Sequence, residues 1–433
     1  MSGFFKKLLL GLLACVAVAL FVAACGQQGI GEVQSLGKRE APRVKLTFFG
    51  KKADESNVHV IEKIMASYMQ EHPDVVVTYE SIKGRKYYEV LDKRMANSSG
   101  DDIFIVDHDT MLKLKSQGRV ANLADLPTIE NYRESTRKQF TDSDGVYWLP
   151  TTISAFGLYC NMDLLKEHGQ PVPKNLKEFR QVCDYFVSRG ITPIVANNDI
   201  SLKTIMTGMS FYDTVQNGEG EKLIKSLNDG SLPLGTSLED GIKVVDTIIS
   251  KHYVDREQTM KTMKTSDDLK IFAEGKHPFM LTGTWASRRL KSDFNAKFKY
   301  ELHPLPLLEN DSFVVTNPDV RLCVNAQSKH IKEAKDFVAY FTRTDNIHEF
   351  CDDQSSISPT NDKFVSAVKE LQPVIDCYDD GRFVRATSPK LLLPTWNMTR
   401  IAVVDLLQGK SVDYVINKLN DDSQRYLQSH KQG

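Results

Sequence analysis

From residue 44 onward the apolar positions switch repeatedly between two periods. Residues 44–49 form a short apolar run that stops at Gly50-Lys51-Lys52, residues 58–69 carry apolar side chains at helical spacing with Pro73 beyond, and residues 75–79 form a second run. This β-α-β opening predicts a parallel pair of strands and an α/β lobe. A helix over 86–97 and a strand over 103–106 follow, the strand running into Asp107-His108-Asp109. Residues 154–161 read as extended. Strands at 191–195, 277–281, 299–302 and 320–325 then alternate with helices at 202–212, 219–227, 238–253, 267–274, 287–293 and 331–341. Two terminal helices, 391–408 and 412–428, are separated by Gly409.

The first 43 residues do not share this pattern. Lys6 and Lys7 precede an apolar stretch, 8–22, and Val22-Ala23-Ala24-Cys25 places small residues before a cysteine. This looks like a bacterial lipoprotein signal (1–24) cleaved before Cys25. Residues 26–43 are rich in Gly, Gln and charge and read as a flexible tether. By that resemblance Cys25 carries acyl chains (lipid, palmitate), and the mature chain is membrane-anchored at the outer side of a cell membrane without a spanning helix.

Composition narrows the remainder. The 433 residues are 41% hydrophobic and 26% charged, enough for a large core and two domains or one bilobed unit. With 55 basic and 56 acidic side chains there is no basic excess to suggest nucleic acid. Cys160, Cys183, Cys323, Cys351 and Cys377 lie in the body; five cannot all pair, no CxxC occurs, and buried free thiols are the expectation, with one disulfide the alternative. GxSxG, HExxH, P-loop, GxGxxG and a complete EF-hand loop are all missing, so nothing points to catalysis or a cofactor, and Asp107-His108-Asp109 lacks a third ligand at fixed spacing for a metal.

The candidate chemistry centres on residues 271–290, IFAEGKHPFMLTGTWASRRL. A helix ends at Gly275, a short strand follows, and Thr282-Gly283-Thr284-Trp285 leads into the next helix. Gly283 allows close backbone approach at a strand's carboxyl end, and Trp285 presents a large flat face there; packing the strand onto the helix would use the same tryptophan. Asp107 and Asp109 stand at the carboxyl end of a strand, where open α/β sheets bind ligands, although Asp109 could instead cap a helix from Thr110.

The run from an apolar helix through Glu274-Gly275-Lys276 to Gly283-Thr284-Trp285 resembles the cleft segment of family 1 extracellular solute-binding proteins, the carbohydrate receptors of ABC importers. Gly100-Asp101-Asp102 with the 103–106 strand, Gly118 to Leu123, Asp144 to Pro150 with Ser154 to Asn161, Asn175 to Phe179 as a capped helix start, and Pro304-Leu305-Pro306 are similar to further family segments, over 44–428 in all. Cys160 departs from the family's usual aromatic. The resemblance implies an α/β, two-lobed periplasmic-binding-protein-like fold (type II), each lobe a mixed sheet flanked by helices and the lobes joined by a hinge. It divides the body into an N-terminal lobe of 44–153 plus 304–357 and a C-terminal lobe of 154–303 plus 358–433. It implies a ligand-binding set of Trp285, Trp396, Asp107, Asp109, Lys51, Phe49, Ser154, Thr152, Gly283 and Tyr212. Trp396 could equally anchor its helix, Tyr212 could be core, and the hydroxyls could be bonded locally. The implied function is that of a monomeric, extracellular carbohydrate-binding receptor that captures a sugar or oligosaccharide and hands it to ABC permease subunits, and it is not an enzyme. A surface glycan-active enzyme and a ligand sensor for a membrane kinase are the alternatives.

Overall fold

Val44–Gly50 (β1) has its last three residues buried, and Val75–Ser81 (β2) pairs with it in parallel from Val44↔Val75 to Gly50↔Ser81. Ile103–Val106 (β3) lies on the other side of β1, also parallel. Its four apolar residues are all buried, as expected of a parallel strand covered on both faces. The computed structural model describes residues 44–430, apart from residues 54, 85, 98–99, 265, 387 and 389; the signal, Cys25 and the tether lie outside the described residues.

Beyond β3 the sheet turns antiparallel. A small hairpin of Thr141–Asp142 (β4) and Gly145–Val146 (β5) precedes Leu149–Asn161 (β6), thirteen residues long and buried throughout. Ile194–Val195 (β7), Phe279–Gly283 (β8), Tyr300–His303 (β9), Val314–Val324 (β10) and Phe383–Arg385 (β11) complete a nine-stranded sheet. Its order is β2-β1-β3-β10-β6-β8-β7, with β11 on β10 and β9 on β6. Strands β6 and β10 are long enough to serve both halves. One end of β10 pairs with β3, while the other meets β11 and the middle of β6; β6 in turn continues to β8 and β9. The mixed sheets of the two lobes are thus continuous through these two strands.

The apolar core is divided accordingly. One cluster gathers Leu46, Phe104, Leu149, Leu322 and Phe350; a second gathers Phe156, Phe186, Ile205, Val315 and Leu406, with a third beneath β8 and β9 around Tyr159 and Phe272. All five body cysteines are buried free thiols, as expected.

Three elements differ from the sequence expectation for identifiable reasons. β10 begins at Val314, not 320, because Pro318 is harmless where it stands: the opposite residue, Ile153, directs its backbone N–H and C=O to Ile357 (2.8 and 3.0 Å), so no ladder bond needs a Pro318 amide. Asp107, not Asp109, is the N-cap of His108–Ser116, accepting from the Thr110 amide at 2.8 Å. The first terminal helix starts at Thr395, directly after Pro394. Asn175 caps Leu176–Val187 as expected, its side chain accepting from Glu178 N while Glu178 Oε2 accepts from Lys174 N. Gly275 has the left-handed φ of +76° that a helix C-terminus favours.

Candidate ligand-binding site

The carboxyl ends of β1 and β2 point the same way because the strands are parallel. Lys51 and Lys52 follow β1 directly, and Lys83 and Gly84 follow β2. These residues face Trp285, Arg288 and Arg289 from the segment after β8, across a floor made by Thr152 and Ser154 of β6 and Asp319 of β10. The end of helix Thr344–Asp353 and residues 354–356 form a further wall. Together they enclose a cavity of about 200 Å³ to which both lobes contribute.

Asp319 organises the floor. Its Oδ1 lies 3.0 Å from Lys51 Nζ and accepts from the Val320 amide at 2.7 Å, while Ser154 Oγ donates to Oδ2 at 3.1 Å. Burial acts to raise the Asp319 carboxyl, but Lys51 and Lys52 outweigh it and hold the group well below the usual carboxylate range. The next residue, Val320, has φ +45°, a strained conformation for a β-branched side chain. The bond from its amide to Asp319 Oδ1 helps to hold that turn. Burial pushes the Lys52 ammonium down to about 8, with Asp319 acting in the opposite direction and Lys51 adding to the depression. Burial, followed by Asp107 and Asp319, raises the Tyr88 phenol, so it stays neutral, and its oxygen accepts from Lys51 Nζ at 3.5 Å.

Trp285 is half-buried beside this floor, its ring edge-on to Phe156 at 5.3 Å. Its Nε1 is buried with no hydrogen-bond partner among the described residues. Gly283 explains the ring position: a Cβ there would fall 2.1 Å from the Trp285 ring. Gly283 therefore supports the tryptophan and does not itself line the cavity.

Of the residues expected from sequence, Lys51, Thr152, Ser154 and Trp285 line the cavity together. Phe49 does not: it is fully buried, stacked on Tyr87 at 4.7 Å with the Arg94 guanidinium over the ring at 4.1 Å. Tyr212 packs against Phe313, the tilted rings 4.8 Å apart, in the core of the second lobe. Trp396 is outside the lining, with Lys203 Nζ 3.6 Å above its ring and Phe156 6.3 Å away. Lys203 is itself buried, and its pair with Asp199 (2.8 Å) continues to Lys264 on the cavity wall (2.7 Å). Asp107 is engaged in capping. Asp109 faces the start of the Thr395–Leu407 helix through the Asn397 amide, and burial with neighbouring Asp107 pushes it up to about 7.

Next to Asp109, His108 joins the lobes: its Nε2 is 3.0 Å from the Leu391 carbonyl, and burial lowers its pKa to about 3, so the ring is neutral and Nε2–H donates. Sequence reasoning missed Asp319, Lys52, Arg288 and Arg289. Asp319 lies 268 residues from Lys51, and only Arg288 and Arg289 stood near a recognised motif.

The fold and the cavity define a two-lobed ligand-binding protein. The sequence model for the bacterial extracellular solute-binding protein matches residues 53–347, and the chain belongs to that family. It is 22% identical over 364 residues to the multiple sugar-binding protein of Streptococcus mutans, covering 80% of this chain and 81% of that one. It is also 22% identical over 323 residues to the melibiose/raffinose/stachyose-binding protein MelE of Bacillus subtilis, covering 71% and 72%. A Bacillus subtilis binding protein solved in an open conformation superposes with a TM-score of 0.71 at 19% identity, covering 90% of this chain and 99% of that one.

Proposed function

We propose that this solute-binding protein is a carbohydrate receptor that captures a sugar or oligosaccharide between its lobes and delivers it to the permease of an ABC importer. The observation that carries the reading is the convergence of Trp285 with Ser154, Lys51 and Asp319 in one cavity. A pyranose presents an apolar C–H face to an indole, and its hydroxyls need paired acceptors and donors of this kind. The names of the two curated relatives, both sugar-binding proteins, support the same ligand class. Binding and release require no covalent step, so the reading is of a receptor and not an enzyme.

In this reading the first lobe comprises residues 44–153 with 304–357 and the second 154–303 with 358–433. Lobe closure around the sugar presents a shape that a permease can distinguish from the empty receptor. Acyl chains on Cys25 hold the monomer at the outer face of the membrane; Cys25→Ser should release it, and membrane retention of that variant would contradict the anchor. Calorimetric titration of the purified chain with a panel of neutral and acidic oligosaccharides tests the ligand class. Saturable binding to one class is expected; heat from none of them, with the protein folded, would refute it.

A further inference from the structure

Two neighbouring residues of the first lobe reach across to one segment of the second. His108 and Asp109 open the helix that follows β3, and Asp107 fixes its start by accepting from the Thr110 amide at 2.8 Å. His108 Nε2 lies 3.0 Å from the Leu391 carbonyl, and the residue is only 5% exposed. The Leu393 carbonyl is a further acceptor beside the ring, and Asp109 faces the Asn397 amide. The receiving segment is fastened to its own lobe. Leu391 and Leu393 are buried in the second lobe's cluster. Asn228 holds the residues on either side of Leu391: its Oδ1 accepts from Leu392 N at 2.8 Å, and its Nδ2 donates to the Lys390 carbonyl at 2.9 Å. Trp396 is pinned beneath Lys203, whose Nζ lies 3.3 Å from the Trp396 carbonyl. Donor and acceptor are each held rigidly, and they belong to different lobes.

His108, Asp109, Leu391, Leu393 and Asn397 all lie outside the lining of the cleft cavity, so their contact needs no sugar. A lobe contact of this kind stabilises the closed form by the same amount for any ligand. When only the closed form binds, apparent affinity scales with the closed fraction, so such a contact raises affinity without reading the sugar. We propose that His108 and Asp109 form an interlobe clasp that holds the receptor closed independently of sugar and so sets its affinity for every ligand by a common factor. This rests on the carbohydrate-receptor reading and adds to it a pair of positioning residues outside the cavity. His108 supplies the directional part through its Nε2–H, and Asp109 supplies a second acceptor one residue further along the same helix.

Small-angle X-ray scattering of the sugar-free chain, fitted as a mixture of open and closed forms, tests the clasp without any ligand. His108→Leu nearly keeps the volume and removes the donor; the closed-to-open ratio should fall about ten-fold and the radius of gyration should rise. His108→Gln, whose amide can donate to the Leu391 carbonyl, should restore the wild-type curve. Asp109→Ala alters a half-buried helix position and leaves His108 in place, so it carries the test should His108→Leu not fold; it is expected to expand the sugar-free chain in the same sense. Melibiose, raffinose and stachyose serve as calorimetric probes: each that binds the wild type should bind His108→Leu more weakly by one shared factor of up to about ten. Sugar-free curves of both variants that coincide with the wild type would overturn the clasp and make the contact a fixed part of the hinge. A loss confined to one sugar would overturn it as well, by making His108 a direct ligand contact. Binding of none of the three sugars would count against the receptor reading alone, since the sugar-free scattering decides the clasp independently.

Discussion

Replacing Asp319 by asparagine removes one charge and almost no volume. The amide oxygen in the Oδ1 place can still accept from the Val320 amide, and the amide nitrogen in the Oδ2 place can donate to Ser154 Oγ, whose hydroxyl acts as donor or acceptor, so the variant chiefly removes the ionic contribution. Lys51 would then lose its partner at 3.0 Å, and Lys52 the carboxylate that partly offsets its burial. The pair is only 22% and 25% exposed, between a surface pair worth less than about 1 kcal/mol and a fully buried one whose disruption costs about 3–5 kcal/mol. A loss of about 1–3 kcal/mol follows. Asp319→Ala should cost about 1 kcal/mol more, because the strained turn at Val320 also loses its hydrogen bond. The pH dependence gives a second, independent reading. The folded carboxyl lies below its unfolded value of about 3.9, so its contribution is complete above that value and disappears as pH falls through the lower folded one. Urea unfolding at pH 7 should therefore show the full deficit of the Asn variant, and the gap should close progressively below pH 4. Equal midpoints for the two proteins at pH 7, or a gap that does not change with acid, would refute the assignment of Asp319 as the charged centre of the floor.

The His108 ring is held neutral well below its ordinary pKa, so the unfolded chain takes up a proton between about pH 6.5 and 3 that the folded one does not. Stability should fall with acid through that window by several kcal/mol, and His108→Gln should remove most of the slope in urea midpoints; an unchanged slope would contradict the placement. Gly283→Ala drives a methyl group into the Trp285 ring, and is expected to weaken sugar binding by about 1–3 kcal/mol by displacing the indole. Calorimetry on the variant would detect this, and wild-type affinity would show that the ring position does not matter.

Much of the framework was readable because it rests on local chemistry. The β1-helix-β2 opening, the buried apolar β3, the Asn175 cap and the left-handed Gly275 each follow from a few neighbouring residues. Trp285 was identifiable from the glycine-threonine context that positions it. The centre of the floor was not. Asn317-Pro318-Asp319 reads as a break in a strand, and only the pairing of Ile153 with Ile357 shows why a proline is tolerated there. Lysines and arginines are solvated by default, so nothing local marks Lys52 or Arg288 as facing a cavity wall. Phe49 and Tyr212 err in the opposite sense. Aromatic side chains near strand ends suit a binding face or a core equally, and here Tyr87, Arg94 and Phe313 cover them.

The receptor account stands or falls on whether ligand reaches Trp285. Fluorescence titration of the wild-type chain, of Trp285→Phe and of Trp396→Phe with the oligosaccharide found by calorimetry measures this directly. The account predicts a saturable emission change in the wild type and in Trp396→Phe that is lost or strongly reduced in Trp285→Phe. A full response in Trp285→Phe, at unchanged affinity, would place the sugar elsewhere and contradict the site.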